Sequence, residues 1–111
     1  MNMTTLETRQ LSFEDIVSNK KHAKRYKQIL DRLCTGNKTA KELAVELFEL
    51  GFIPSTERNY TAPRLTELEK MNMVQAIDKK QCKYTGKTVA VYTITQKGYK
   101  ALNMQHIPRI F

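Results

Sequence analysis

Residue types that catalyse reactions or bind metals are few in this chain and do not form a group. Cys34 and Cys82 lie far apart without a CxxC partner, which favours ordinary structural roles, a small buried residue and a strand residue. His22 and His106 lack ligand spacing with any other candidate. The scattered glycines form no phosphate-binding loop. A catalytic set would need one of these histidines, so we expect no enzymatic activity, no metal and no cofactor.

Positive charge is the informative chemical property of the sequence. The net charge is +8 and the isoelectric point is near 9.6, values that favour nucleic acid as a partner. Residues 20–41 hold eight Lys or Arg against one Asp, and residues 74–100 hold six Lys against one Asp. The segment between these two basic blocks is acidic. The run from Lys20 to Lys27 fits a solvated helix surface and phosphate contact equally well.

The length of 111 residues predicts one domain with tails. We expect an N-terminal arm or short helix over 1–20, a domain over 21–103 and a C-terminal tail over 104–111. No apolar run approaches the roughly 18–20 residues that a membrane span needs, and no secretory signal pattern is present. A cytoplasmic location is therefore expected, with no membrane contact and no evident small-molecule ligand. The two terminal segments are the candidate surfaces for a homodimer.

Apolar spacing predicts two helices in the first half of the domain. A stripe with helical period predicts a helix over about 22–34, formed by Tyr26, Ile29, Leu30 and Leu33. Thr39 and Glu42 have the spacing of a capping box and predict the start of a second helix. Its predicted buried side consists of Leu43, Ala44, Leu47 and Leu50. Phe52 and Ile53, in the following turn, are expected to anchor that turn to the core.

The segment 58–70 predicts a third helix with one buried and one outward side. Steps of 100° per residue place Ala62, Leu65 and Leu68 inward. The outward side holds Thr56, Asn59, Tyr60, Pro63 and Glu67, with Arg64 on its flank. Pro63 permits two starts, because proline is tolerated in a first turn and kinks a helix elsewhere. Either the helix starts near Thr61, or it starts near Thr56 and kinks; we favour the early start, over about 57–71.

The last part of the domain predicts a hairpin and a further helix. Residues 74–77 and 89–94 have strand character, with a turn at Thr85-Gly86. The lysines between the strands also fit an ordinary solvated hairpin that is protected from edge pairing. Asn72 is expected to end the third helix in a left-handed conformation. Thr95 is expected to cap a last helix over 96–103, which Tyr99 and Leu102 tie to the body.

This order of elements resembles a winged helix-turn-helix domain, a mostly helical α+β fold with three core helices, a two-stranded wing and a C-terminal helix. Residues 41–44 (KELA) resemble the opening of the family's second helix, and residues 63–74 (PRLTELEKMNMV) resemble its recognition helix running into the wing. Residues 93–102 (TITQKGYKAL) are similar to the exit in MarR- and PadR-like regulators. Residues 58–65 (RNYTAPRL) are similar to small winged-helix proteins of phages and other mobile elements.

The resemblance covers about residues 22–103 and implies sequence-selective binding of double-stranded DNA, as in a small transcriptional regulator or a mobile-element protein. Helix 57–71 would enter the major groove, with Asn59 reading adenine and Arg64 reading guanine or contacting a phosphate. Tyr60 would pack on a thymine methyl or bond a phosphate, and Thr56 would donate to a phosphate. The remaining expected contacts to the backbone or minor groove come from Lys38, Lys41, Lys79, Lys80, Lys83 and Lys87.

A second interpretation is a winged-helix module for protein–protein interaction without direct base readout. Glu67 and Glu69 lie within the predicted reading helix and would repel phosphate if they faced outward. The angular count places Glu67 outward. In this interpretation the basic blocks serve solubility or contact an acidic protein.

Overall fold

The computed structural model describes residues 20–103. Its elements, in order, are a 3₁₀ turn Lys20–His22, α1 Ala23–Leu33, α2 Ala40–Glu49, a 3₁₀ turn Arg58–Tyr60, α3 Ala62–Lys70, β1 Val74–Gln81, β2 Thr88–Ile94 and α4 Gln96–Asn103. The predicted α+β class is confirmed, with three core helices, a two-stranded antiparallel hairpin and a helix after it. Predictions for residues 1–19 and 104–111 lie outside the described residues. No helix between residues 20 and 103 is long and apolar enough to cross a membrane.

The core forms where α1, α2 and α3 meet the base of the hairpin. The predicted stripe of α1 is buried, and Tyr26 at its centre is fully inaccessible. Leu65 and Leu68 complete the core from α3. Leu50 and Phe52 were predicted to be buried but are 50% and 47% exposed. α2 ends before Leu50, so helical periodicity no longer directs the side chains that follow it.

α2 begins with the predicted capping box. Thr39 Oγ1 accepts a hydrogen bond of 3.1 Å from the backbone N–H of Glu42, whose carboxylate accepts one of 2.9 Å from the N–H of Thr39. Lys80, on β1, lies 2.8 Å from the same carboxylate. Burial raises the pKa of Glu42, but hydrogen bonds from Lys80 and Thr39 and the charge of Lys83 outweigh it, and the net pKa is lowered. One carboxylate therefore both caps α2 and ties it to the hairpin.

The prediction of a single helix over 57–71 is wrong. The chain makes a 3₁₀ turn at Arg58–Tyr60 and a separate α-helix from Ala62. Pro63 lies in the first turn of α3, where its missing N–H removes no helical hydrogen bond. Thr61, just before α3, is fully buried, and its hydroxyl donates a 2.7 Å hydrogen bond to the carbonyl of Ala40. The later of the two starts left open by the sequence is the one observed.

The hairpin carries one bulge. Ala76 pairs with Tyr92 and Asp78 pairs with Val91, so Ile77 is an extra residue in β1. Near the base, the backbones of Lys38 and Tyr92 exchange hydrogen bonds of 3.1 and 2.8 Å, which fastens the segment before α2 to the hairpin. Gly86 adopts a φ of +76° at the tip, as the predicted turn requires.

Both ends of the hairpin connect tightly to helices. Asn72, with φ +64°, ends α3 in the predicted left-handed conformation. The hydroxyl of Thr95 accepts a 3.1 Å hydrogen bond from Gly98 N–H and so caps α4 as predicted. A Cβ on Gly98 would collide with the carbonyl oxygen of Met73, which shows how closely α4 approaches the hairpin base. Tyr99, expected to tie α4 to the body, is instead exposed.

The expected roles of the cysteines are corrected as well. Cys34, expected to be a small buried residue, is exposed, and Cys82, expected to be a strand residue, lies one residue beyond β1 and is buried. Its backbone closes the hairpin loop, because the N–H of Cys82 donates to the carbonyl of Lys87 and its carbonyl accepts from the N–H of Gly86, both at 2.7 Å.

We expect Glu42→Gln to destabilise the protein by about 0.5–1 kcal/mol at pH 7, because glutamine keeps the capping geometry but loses the charge that faces Lys80. The pKa of Glu42 is lowered from 4.5, so its carboxylate contributes stability above that pH which is lost as the pH falls through the lowered pKa. Urea unfolding should therefore show a smaller difference from the parent protein at pH 3 than at pH 7. Glu49→Gln, at the exposed end of α2, is the matched control, and an equal difference at both pH values would contradict the assignment.

Candidate nucleic-acid interface

The outward side of α3 is short and carries one acidic residue, Glu69. Pro63, Thr66 and Lys70 follow one another at helical spacing and are exposed. Arg58 and Asn59 are exposed in the 3₁₀ turn that precedes them. Asn59 therefore reaches solvent as predicted, but from a turn and not from the helix itself. Glu69, three residues after Thr66, is exposed on the same side of α3, and Glu57 is exposed just before the 3₁₀ turn.

Glu67 is held within the molecule. Its Oε1 accepts a 2.6 Å hydrogen bond from the hydroxyl of Tyr26 and lies 2.9 Å from Arg64 Nε. Its Oε2 accepts a 3.0 Å hydrogen bond from Arg64 Nη2. Burial, followed by the hydrogen bond to Glu67, raises the pKa of Tyr26 to about 12. The negative charge of Glu67 is thus compensated by Arg64, and its carboxylate accepts a hydrogen bond from Tyr26. The expected repulsion of phosphate by an outward Glu67 is therefore weakened.

The same contacts occupy Arg64. Besides its pairing with Glu67, its Nη1 lies 2.6 and 2.7 Å from the two ring nitrogens of His22. A guanidinium only donates, so the ring must offer it an acceptor. Arg64 therefore joins α3 to the start of α1. A base contact through Arg64, as the sequence suggested, would require these bonds to be exchanged.

Two of the predicted phosphate-binding lysines brace the fold. Lys38 Nζ lies 3.1 Å from Glu46, and its side chain is only 13% exposed. Lys41 Nζ donates to the carbonyl of Thr56 at 2.7 Å and also lies 3.3 Å from its hydroxyl. Both the carbonyl and the hydroxyl of Thr56 are therefore in contact with Lys41. Lys38 fastens the segment before α2 to α2, and Lys41 holds the segment between α2 and α3 in place. Periodicity gives no sign of these partners.

One hairpin lysine pairs with a carboxylate of the protein, and the others extend into solvent. Lys79, Lys83 and Lys87 are exposed, and Lys83 Nζ lies 5.3 Å from the centre of the Tyr84 ring. Lys80 is paired with Glu42 while remaining about half exposed. The tip and arms of the hairpin thus present a cationic surface, as the sequence predicted.

A basic groove lies between the start of α1 and the start of α3. It has a volume of about 560 Å³. Its lining consists of Lys21, His22, Lys24, Arg25, Gln28, Gly51, Phe52, Asn59, Tyr60 and Arg64, with no acidic residue. The predicted residues Asn59, Tyr60 and Arg64 are therefore brought together here with cations of α1. We call this feature the α1–α3 groove.

In the sequence alone, the cations of α1 belong to a basic run from Lys20 to Lys27. Lys21, Lys24, Arg25 and Gln28 recur at spacings of three, four and seven residues from position 21, which places them on one side of a helix. That spacing was the available signal for a polar stripe opposite the apolar one. The partner surface, formed by the turn before α3, depends on the tertiary fold.

No protein-family model matches the chain, and no curated protein is significantly similar to it. The resemblance to winged helix-turn-helix regulators therefore remains a resemblance in local sequence and in the order of elements.

We expect Tyr26→Phe to destabilise the protein by about 1–2 kcal/mol, because the partly buried Glu67 carboxylate loses a hydrogen-bond donor while Arg64 stays in place. Urea unfolding at pH 7 measures the change. In an alkaline absorbance titration the variant should also lose a phenol that ionises near pH 12 in the parent protein. The exposed Tyr99→Phe is the control. A variant as stable as the parent would show that the Tyr26–Glu67 bond contributes nothing.

Proposed function

We propose that this protein binds double-stranded DNA selectively, as a small transcriptional regulator or mobile-element DNA-binding protein of the winged helix-turn-helix type. The observation that carries the proposal is the surface before and along α3, where Arg58, Asn59, Thr66 and Lys70 are exposed beside two acidic residues, Glu57 and Glu69. The resemblance of segment 63–74 to recognition helices adds to it.

The major groove of DNA is about 12 Å wide and admits one helix. In the proposed complex, α3 enters end-on with its N-terminal half and the preceding turn. Asn59 offers an amide that matches the N6 and N7 edge of adenine, and Arg58 lies next to it for a guanine or a phosphate. Tyr60, half-buried against the core, would contact a phosphate or a thymine methyl through its exposed part.

The lysine-rich hairpin supplies the second contact of the proposal. Lys79, Lys83 and Lys87 would approach the adjacent DNA backbone or the minor groove as a wing. Lys80 would contribute through its exposed part while it remains paired with Glu42. Lys41 and Thr56 support the reading segment, since their bond holds the chain between α2 and α3, and Lys38 is paired with Glu46 on α2.

Electrostatics would supply most of the affinity. With roughly six phosphates neutralised, the logarithm of the binding constant should fall with the logarithm of salt concentration with a slope of about −5. A single module buries only about 600–1,000 Å² on DNA, so a homodimer on a paired site is the arrangement expected for tight binding.

We expect the parent protein to bind a mixed-sequence duplex with this slope in fluorescence anisotropy over a salt series. Lys83→Glu combined with Lys87→Glu should weaken binding to all duplexes alike, because those side chains would meet only the backbone. Lys97→Glu combined with Lys100→Glu, on α4, gives the same change of charge away from the wing. Binding no tighter than millimolar at about 50 mM salt would refute the DNA proposal.

Asn59→Ala tests the assignment of the reading segment. After selection of a preferred site from a random duplex pool, the parent should favour that site over a scrambled one. Asn59→Ala should reduce this preference by about 1–3 kcal/mol with little change in the salt slope. Thr93→Ala, on β2, is a polar control outside the proposed interface. If selectivity were unchanged while the hairpin variant lost all binding, α3 would not be in the major groove.

A protein-interaction role is the second candidate, and one surface favours it. Phe48, Leu50 and Phe52 are each about half exposed within five residues at the end of α2. Clustered exposed aromatics are typical of contact surfaces between proteins. Such a module would use this surface and leave the outward side of α3 without a base contact.

Phe48→Ser combined with Leu50→Ser, neither of which lines the α1–α3 groove, separates the two roles. Under the DNA proposal this variant should keep duplex affinity within about twofold, since neither side chain lies on the outward side of α3. Under the interaction role it should abolish a self-association or partner contact seen for the parent by light scattering or crosslinking. Loss of duplex binding in a folded variant would contradict the proposed division of surfaces.

A further inference from the structure

The α1–α3 groove contains a buried guanidinium nitrogen that lacks a partner. Arg25 Nη1 is inaccessible to solvent and has no hydrogen-bond partner among the described residues. The Oε1 atom of Gln28, one turn further along α1, is in the same condition. Buried polar atoms are almost always paired, so a pair of unmatched atoms lining one groove calls for a ligand.

The electrostatics of the groove specify the sign of that ligand. Arg25 and Arg64 both line it, and burial together with the charge of Arg64 lowers the pKa of Arg25. Lys21 and Lys24 line it as well, and no carboxylate does. Glu67 compensates Arg64 from outside the lining. An anion placed between Arg25 and Arg64 would relieve the repulsion of like charges and use the free N–H of Arg25.

The shape and donors specify the kind of anion. A guanidinium fork matches the oxygens of a phosphoryl group, and Arg25 has an unused arm of that fork. A half-turn of the Gln28 amide presents its NH₂ group to the same oxygens, because the two ends of an amide occupy nearly the same space. The exposed Asn59 and the half-buried Tyr60 at the rim can donate further hydrogen bonds. The groove, at about 560 Å³, admits a phosphoryl group together with the sugar that carries it.

We propose that the α1–α3 groove is a binding site for a phosphoryl group, held by Arg25 and Gln28 and attracted by the positive charge of Arg64, whose own hydrogen bonds to His22 and Glu67 stay in place. The group has two chemical sources, a phosphate of the DNA backbone or the phosphate of a free monoester. The first source rests on the proposed function, and the second does not.

Titration with inorganic phosphate tests the site directly. Spectra of the ¹⁵N-labelled full chain at pH 7 are recorded as sodium phosphate replaces sodium chloride at constant ionic strength. The Arg25 Nε–H signal and the backbone signals of Gln28 and Tyr60 should shift and saturate, with a dissociation constant on the order of 1 mM. Signals of α4 should not move. Shifts that fail to saturate, or that are spread evenly over the basic surface, would overturn the proposal.

Three variants make the titration specific. Arg25→Gln should weaken phosphate binding by about tenfold or more, the scale of one lost charge-assisted hydrogen bond. Arg25→Lys should be intermediate, because an ammonium keeps the charge but not the fork. Lys97→Gln removes one positive charge from α4, outside the groove, and should match the parent. Circular dichroism confirms that each variant is folded, and equal binding by parent and Arg25→Gln would overturn the site.

Duplex anisotropy with Arg25→Gln then identifies the source. If a backbone phosphate occupies the groove, affinity falls for all sequences and the salt slope becomes shallower by about 1. If duplex binding is unchanged while phosphate binding is lost, the group belongs to a free phosphorylated compound. Either result supports the site. Should the parent bind no DNA, the proposed function fails, and the phosphate titration still decides the proposal made for the groove.

Discussion

A buried hydrogen bond joins the starts of α2 and α3, and the rest of the molecule depends on the geometry of this junction. Thr61 Oγ1 donates to the carbonyl of Ala40 at 2.7 Å, and Thr61 is fully inaccessible to solvent. Loss of this bond would cost about 0.5–1.5 kcal/mol, the usual net contribution of one intramolecular hydrogen bond. Thr39, next to Ala40, is also fully buried and caps α2. The starts of α2 and α3 are therefore held together, and the direction in which the outward side of α3 faces follows from that junction.

The charges of this basic protein are of two kinds, and the difference organises its surface. Lys38, Lys41 and Arg64 lie in bonds that join separate segments, so they act as parts of the fold. Lys83 and Lys87 extend into solvent at the hairpin tip, where a charge costs little to place and is available to a partner. Net charge alone could not divide the cations in this way. An anionic partner would be met by the second kind, and by the unmatched guanidinium of Arg25.

Local sequence signals predicted most of the architecture, because they act over a few residues. The stripe around Tyr26, the capping box of Thr39 and Glu42, and the left-handed Asn72 each follow from the chemistry of neighbouring residues. The predictions that failed concern contacts between residues that are distant in the sequence. His22, a partner of Arg64, lies 42 residues away in the turn before α1, and the carbonyl that binds Lys41 is fifteen residues away. The start of α3 required a choice between two allowed places for Pro63, which tertiary contacts decided. Fold and core were therefore predictable, whereas the availability of each cation was not.

The bulge at Ile77 has a consequence for how this hairpin can change in length. Successive side chains on a strand point to opposite faces, so the extra residue changes the faces on which Asp78 to Gln81 lie relative to Val74 to Ala76. Deletion of one residue of β1 between Ile77 and the hairpin tip would turn Lys80 away from Glu42. The lysines at the tip would then lie on the opposite face of the hairpin. Residues added in matched pairs, one on each arm beyond Gln81 and Thr88, would leave both arrangements intact. The hairpin is therefore a natural place for length variation that preserves α2, provided that insertions come in pairs at its tip.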